Sequence, residues 1–302
     1  MRVGIIVPQG WTQEYVGVEP RQAWQRTRSV ARRADDLGFE SIWLFDHFHT
    51  VPTTVETTTF ELFTTLSALA TATSRVRLGQ LVTCAGYRNP ALLAKMISTV
   101  DVISDGRVEL GLGAGWKGDE WDAYGYGFPS LRIRQDMLQD ALAIVTMMWA
   151  AGRATYTGDV ARVVGAVNEP KPLQVAHPPI VVGGNGRQRT WRLAARYADE
   201  LNLDAVPPEA MADAKAVIWS RCEEIDRDPN SLRVSVHIWW EHLDAAPSRA
   251  ALLDAYREAG VARVMTLVRD AAHDPDALDR FREDCVEAGI ELDPVRPTSQ
   301  AS

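Results

Sequence analysis

The stretch "LFDHFHTVPT" (44–53) places titratable groups where an apolar run ends: "SIWLF" (41–45) breaks into Asp46, His47, Phe48 and His49. Removing such groups from water is costly unless they are paired or used. A neutral imidazole gives or takes a proton near pH 7, and an adjacent carboxylate can orient it or hold its charge. Proton transfer at His47, with Asp46 beside it, is the first chemistry this pattern suggests. A histidine satisfied by loop carbonyls is the inert alternative, and His49 reads as ordinary loop. "HxH" at a strand end can also hold zinc through two imidazoles, as in a metal-dependent hydrolase. Of the other histidines only His237 falls within an expected strand, so no third imidazole completes a ligand set; carboxylates could substitute, so a metal site is demoted rather than excluded.

Two glycine-rich segments invite a ligand. "GLGAGWKGDEW" (111–121) contains a formal GxGxxG at Gly113, Gly115 and Gly118. A dinucleotide fingerprint needs a helix opening inside the motif and an acid ending the next strand. Here Trp116, Lys117 and Asp119 intervene, and Asp136 falls in mid-helix. Backbone kept bare so that a flat ligand can approach is the better reading. In "VVGGNGRQRTW" (181–191), Gly183, Gly184, Asn185 and Gly186 separate a strand from a helix that Arg187 opens. Backbone N–H groups and the positive helix end make an anion site there, for phosphate; a plain tight turn is the alternative. Cys84, in "CAGYRNP", reads as a small buried hydrophobe rather than a nucleophile.

These segments need elements to hold them. Short β-branched runs alternate with helix-period segments: strands at "RVGIIV", "SIWLF", "RVRLGQLVT", "GRVELGLG", "PIVVGG", "DELNL", "LRVSVHIWW" and "VARVMTLV". Helices are expected over 21–37, 60–73, 90–103, 131–149, 187–197, 207–225, 248–259 and 276–288, with Gly38 ending the first and Pro90 opening the third. Eight strand–helix units predict an α/β (β/α)₈ barrel in one domain, 1–302. An insertion with a small hairpin is expected at about 152–178, and a loose tail at about 294–302. The rival, a doubly wound sheet with an appended domain, lacks a dividing linker. In a barrel, reactive groups gather just past the strand C-termini. Asp46 and His47, Thr83 and Cys84, the first glycine loop and Gly183–Gly184 would all meet that condition on one rim.

Bulk properties exclude other partners. The chain of 302 residues is 46% hydrophobic, with a net charge of −8 and no basic block, so nucleic acid is not expected. Three scattered cysteines without CxxC spacing fit a reducing compartment. The first apolar run is too short for a signal segment and none would span a bilayer. A cytoplasmic protein acting on a small molecule is expected.

Taken together, "MRVGIIVPQGW", "SIWLFDHFHTVP", "YRNPALLAKMISTVDVISDGRVELGLGAGW" and "EPKPLQ…HPPIVVGGNG" resemble the bacterial-luciferase-like superfamily, and within it the oxidoreductases dependent on deazaflavin F420. The resemblance implies a (β/α)₈ barrel, usually homodimeric, that moves a hydride between F420 and a small organic substrate: an alcohol or carbonyl compound, an enone or an imine. It implies that Asp46 contacts the cofactor and that His47 manages a proton near its redox carbon. A non-proline cis peptide is implied near Gln80–Leu81, pressed against the ring, with Thr83 beside it. Gly115, Trp116 and Asp119 would cover the ring, and Gly183, Gly184, Asn185, Gly186 and Arg187 would grip the phosphate. Trp11, Phe48 and Val51 would wall the substrate pocket. The superfamily's sugar-phosphate dehydrogenases carry a glutamate where this chain has Trp116 and an aromatic where it has Val51; Glu120 could be a displaced catalytic carboxylate. An FMN-dependent monooxygenase is the alternative within the fold, and a non-catalytic ligand-binding barrel the alternative outside catalysis.

Overall fold

The structure is a computed structural model that describes residues 1–293; the tail expected at about 294–302 lies outside the described residues. Strands β1 (Arg2–Ile6), β2 (Ser41–Leu44), β3 (Arg77–Gln80), β4 (Thr83–Cys84) and β5 (Leu110–Gly113) form the first half of the chain's sheet. After the hairpin β6 (Ala154–Thr157) and β7 (Arg162–Ala166), strands β8 (Ile180–Gly183), β9 (Glu200–Asp204), β10 (Arg233–Ile238) and β11 (Arg263–Thr266) complete it. All neighbours in the order β3-β2-β1-β11-β10-β9-β8-β5-β4 run parallel. Leu78 closes the ring, accepting from the Glu109 N–H at 2.8 Å and donating to the Arg107 carbonyl at 3.0 Å. Strands β3 and β4 are halves of one position, so the nine strands occupy eight places. This is the expected barrel.

Side-chain alternation sorts its two faces. On β1 and β2, Ile5, Ile42 and Leu44 pack outward under the helices, while Ile6, Trp43 and the following Phe45 fill the interior with Val181 and Met265. The outer layer consists of α1 (Pro20–Leu37), α2 (Leu62–Ala72), α3 (Pro90–Ile103), α4 (Gly118–Ala123), α5 (Leu131–Trp149), α6 (Thr190–Tyr197), α7 (Met211–Glu223), α8 (Trp240–Ala245), α9 (Arg249–Glu258) and α10 (Ala277–Glu287). Gly38 ends α1 at φ +90° and Pro90 opens α3, as the pattern predicts, and Asn89 supplies the cap ahead of it.

Three local expectations are corrected. The third strand breaks at a cis Leu81–Val82 bond, one residue past the expected position. The first glycine loop carries a short helix, α4, which its glycine- and aspartate-rich start conceals; Trp121 anchors it, lying where a side chain at Gly86 would stand. The seventh strand ends at Ile238, and Trp240 opens α8 instead of extending it. One glycine of each glycine-rich segment also acquires a different reason. A Cβ on Gly113 would lie 2.6 Å from Val82 Cγ2, and one on Gly183 2.9 Å from Val82 Cγ1. These two positions are bare to admit Val82, not only to admit a ligand.

At the opposite end of the barrel, Arg263 is buried and holds Glu109 at 2.7 Å, Glu200 at 2.8 Å and Glu40 at 2.9 Å, with its guanidinium over the Trp43 ring. Burial pushes the Glu109 carboxyl up, but Arg263 and Arg77 outweigh it and bring it down to about 2. A carboxyl depressed by folding adds stability above its unfolded value and loses it as pH falls through its folded one. Denaturant titrations from pH 7 down to pH 3 should therefore show stability declining below about 4.5. Arg263→Met should lose about 3 kcal/mol at pH 7 and show a shallower acid decline. Gly113→Ala should lose about 1–3 kcal/mol by overpacking, and a second change, Val82→Ala, should recover most of it.

Candidate active site

The loop after β2 and the helix α4 meet through one hydrogen bond: His47 Nδ1 lies 2.7 Å from Glu120 Oε2. Glu120 is fully buried, and its other oxygen accepts from the N–H groups of Phe48 at 3.1 Å and His49 at 3.4 Å. Burial pushes this carboxyl up, but the His47 contact and the two backbone donors outweigh it and hold it below the ordinary range. An ionised carboxylate only accepts, so the proton sits on Nδ1 and neutral His47 keeps its lone pair at Nε2. Trp11 stacks on the imidazole at 4.2 Å with a 5° tilt, and Trp116 meets it edge-on at 5.7 Å.

The carboxylate orienting His47 is thus Glu120, 73 residues away in sequence, and not the adjacent Asp46. Asp46 is engaged elsewhere. It pairs with both Arg88 nitrogens, at 2.7 and 3.0 Å, and accepts from the Cys84 N–H at 2.9 Å. A forked pair of this kind fixes geometry as well as charge, and it ties the β2 loop to the segment after β4.

Both groups border a cleft of about 350 Å³ at the C-terminal rim of the barrel, a size suited to a small ligand. His47 and the Gly183–Gly186 turn open into this same cleft, so one molecule can reach both. Trp11, Asp46, Leu81, Gly115 and Trp116 line it too. Gln80 and Thr83 are fully buried directly beside the wall. Gln80 accepts from the Gly111 N–H at 3.1 Å, while the Thr83 hydroxyl has no partner.

Other expected residues turn away. Asp119 is bound to Lys117 at 2.5 Å, and Arg187 to Asp213 at 2.6 Å on the outside. Phe48 packs between Tyr87 and Tyr124, at 4.6 and 4.3 Å, behind the dyad. Val51 packs against the interior aromatic cluster without facing the cleft. Cys84 lines the cleft, with its thiol pushed up to about 12, chiefly by burial. His49 Nδ1 faces Thr54 Oγ1 at 3.2 Å. Among the described residues no group of three or more His, Cys, Asp or Glu is placed to hold a metal.

The Gly183–Gly186 turn is braced by Asn185. Asn185 and Asp204 exchange hydrogen bonds, Nδ2 to the Asp204 carbonyl at 2.7 Å and the Asp204 N–H to Oδ1 at 2.9 Å. Gly184 adopts φ +125°, open only to glycine at low strain, and Thr190 and Gln135 complete the wall. Sequence reasoning missed the cleft residues Lys117, Gln135, Asp204 and Trp239, and saw His237 only as an absent metal ligand. Their signal was position: Asp204 ends β9, and His237 and Trp239 straddle the end of β10.

With the rim and its imidazole–carboxylate pair in place, kinship can be read against geometry. The chain belongs to the luciferase-like monooxygenase family, whose profile matches residues 1–300. It is 31% identical over 205 residues to an F420-dependent hydroxymycolic acid dehydrogenase of Mycobacterium tuberculosis, covering 67% of this chain and 55% of that one. Uncharacterized mycobacterial relatives reach 32% identity over 186 residues, 64% of their length; the chain thus spans less than two thirds of these curated relatives. Among solved structures, an F420-dependent secondary alcohol dehydrogenase with an F420–acetone adduct superposes with a TM-score of 0.79 at 20% identity, over 95% of this chain and 98% of its own. The FMN-bound oxygenating constituent of 3,6-diketocamphane monooxygenase from Pseudomonas putida superposes at 0.71 and 18% identity, over 97% and 99%. Relatives named for their activity include F420-dependent dehydrogenases, and the superposed structures include one with an F420 adduct and one with FMN. Among the described residues no helix is long and apolar enough to cross a membrane.

Glu120→Ala strips His47, Phe48 and His49 of their shared acceptor. It should lower stability by about 3 kcal/mol and speed amide exchange at Phe48 and His49. Glu120→Gln, which keeps one acceptor oxygen, should lose less; equal losses would show that the oxygens do not organise the loop.

Proposed function

We propose that the protein is an F420-dependent oxidoreductase that moves a hydride between the deazaflavin and a small alcohol or carbonyl compound, an enone or an imine. The observation that carries this is the shared cleft, with His47 on one wall and the Gly183–Gly186 turn on another. The printed names of the F420-dependent relatives support the choice of cofactor. The wall chemistry fits a flat polar ring with an anionic tail: Trp11 Nε1, Gln135 Oε1 and Thr83 Oγ1 are buried polar atoms without partners. Leu81 and Val82 would press on one ring face, Gly115 and Trp116 on the other, with Asp46, Gln80 and Thr83 at its edge. Gly183, Gly184, Asn185, Gly186 and the start of α6 would hold the phosphate. Asp119 and Arg187 would act indirectly, Asp119 by steering Lys117 and Arg187 by fixing the turn against α7.

Bound F420 would supply a ring carbon that accepts or returns a hydride. The protein's part is to hold the reacting carbons about 3–3.5 Å apart and to manage one proton. In the oxidising direction, His47 Nε2 takes the proton of the substrate hydroxyl, and Glu120 stabilises the resulting imidazolium through Nδ1–H. In the reducing direction the imidazolium returns that proton to the carbonyl oxygen. Buried Trp11, stacked on the imidazole, excludes water from one side of the transfer, and edge-on Trp116 borders the mouth of the cleft. The same reading takes the chain as one barrel domain with the β6–β7 hairpin inserted; Asp140 of α5 accepts from Tyr156, Val160 and Ala161 of that hairpin at 2.8–2.9 Å. It also takes the protein as a cytoplasmic homodimer, in keeping with its three free buried cysteines and with exposed Leu92, Val102 and Ile103 on α3. Sedimentation at micromolar concentration, giving twice the chain mass, checks the dimer.

Fluorescence titration of the apo-protein should show micromolar or tighter F420 binding and weak FMN binding. The reverse order would make the protein an FMN-dependent monooxygenase instead. His47→Ala should bind F420 as the parent does and lose about 10²–10⁴ in turnover; unchanged turnover would remove His47 from the chemistry.

A further inference from the structure

A second imidazole–carboxylate pair stands in the cleft, across Phe45 from the first. His237 Nδ1 lies 3.2 Å from Asp204 Oδ1, and Trp239 Nε1 donates to that same oxygen at 2.8 Å. The Asp204 backbone is locked by its reciprocal bonds with Asn185. The His237 ring packs beside Phe45 at 5.8 Å and Trp239 at 4.6 Å. It is only 4% exposed, it lines the cleft, and its Nε2 has no partner. Buried polar atoms are nearly always satisfied, so an orphan on a side chain that lines a cleft marks the place of a ligand atom.

We infer that His237, oriented by Asp204, is a substrate-recognition residue whose Nε2 accepts a hydrogen bond from a neutral hydroxyl or N–H group, at a point separate from the group that meets His47. The polarity follows from the partners. Burial pushes the Asp204 carboxyl up, but the donors His237 and Trp239 outweigh it and hold it below its ordinary value. A carboxylate at Nδ1 fixes the proton there and leaves a lone pair at Nε2. Only a donor satisfies that lone pair. An ether or ketone leaves it bare, and an anion would meet the Asp204 charge across the ring. The flanking aromatic rings suit an alicyclic or aromatic body, so the ligand class is a neutral, ring-bearing alcohol, phenol or amide. This deepens the oxidoreductase reading by naming the substrate's second functional group, and it rests on that cleft being the substrate chamber.

The test uses the full chain with ¹⁵N-labelled histidine and tryptophan, without cofactor or turnover, so its failure and that of the cofactor titration are separate outcomes. Cyclohexanol is the probe and methoxycyclohexane the control. Before any addition, His237 should show a protonated Nδ1 and a bare Nε2 at pH 7.5. Cyclohexanol should move the His237 Nε2 and Trp239 indole resonances, and should bind about tenfold more tightly than the ether. In His237→Phe the alcohol's advantage at the Trp239 resonance should vanish while ether binding stays. In His237→Gln, which restores an acceptor oxygen, part of it should return. A protonated Nε2, equal binding of alcohol and ether, or an advantage that survives in His237→Phe would each overturn the inference.

Discussion

The hydrogen bond between His47 and Glu120 is the constraint around which the rim is organised. A carboxylate withdrawn from water survives only if its lone pairs are filled. Glu120 achieves this by taking one imidazole N–H and two backbone N–H groups from a single loop, with the Tyr87 hydroxyl donating at 3.4 Å from another segment. The loop after β2 is therefore not free to choose its conformation; it must bring three donors to one buried residue of α4. That helix is held in turn by Trp121, which fills the space that Gly86 leaves empty. The pair is thus the peg that joins two rim segments, and any chemical part Glu120 plays is tied to local stability.

A second constraint acts from below. Val82 projects into the barrel mouth, and Gly113 and Gly183 accommodate it from neighbouring strands. The floor of the cleft is consequently apolar and rigid, while polarity enters from strand ends and loops. The other end of the barrel is closed by Arg263 and its three carboxylates, all within 2.9 Å. Charge at one end is paired within the protein; polarity at the other is left open in part. This asymmetry separates stability from function along the barrel axis, as the fold favours.

The eight-strand barrel could be read from the sequence because parallel strands buried on both faces form short apolar runs of β-branched residues, each set off by turn residues. "RVGIIV", "SIWLF" and "PIVVGG" became β1, β2 and β8 almost residue for residue. The rim position of His47 followed from the same logic. Its true partner did not, because Glu120 lies on a helix too short and too glycine-flanked to show a period, and only the tertiary contact selects it over the adjacent Asp46. Asp46 does not orient His47 for the complementary reason: Arg88, unremarkable in "CAGYRNP", claims it in three dimensions. The glycine loops signalled a close approach correctly, yet part of that approach is by a protein side chain, Val82. His237 sits inside a strand, where alternation predicts a buried neighbour and says nothing about which atoms stay unpaired.

Two imidazole–carboxylate pairs in one cleft raise the question of why the same chemistry should be built twice. Their surroundings divide the labour. His47 stands between Trp11 and Trp116, with its carboxylate sealed in and satisfied by backbone as well; an imidazolium formed there has a counter-charge ready. His237 leans on Asp204, whose accepting oxygen is already shared with an indole N–H. The Asp204 side chain is also half exposed where Glu120 is sealed, so the two imidazoles lean on carboxylates in different surroundings. A site that moves a proton at one point and binds a donor at another, as proposed, would draw on this difference in support.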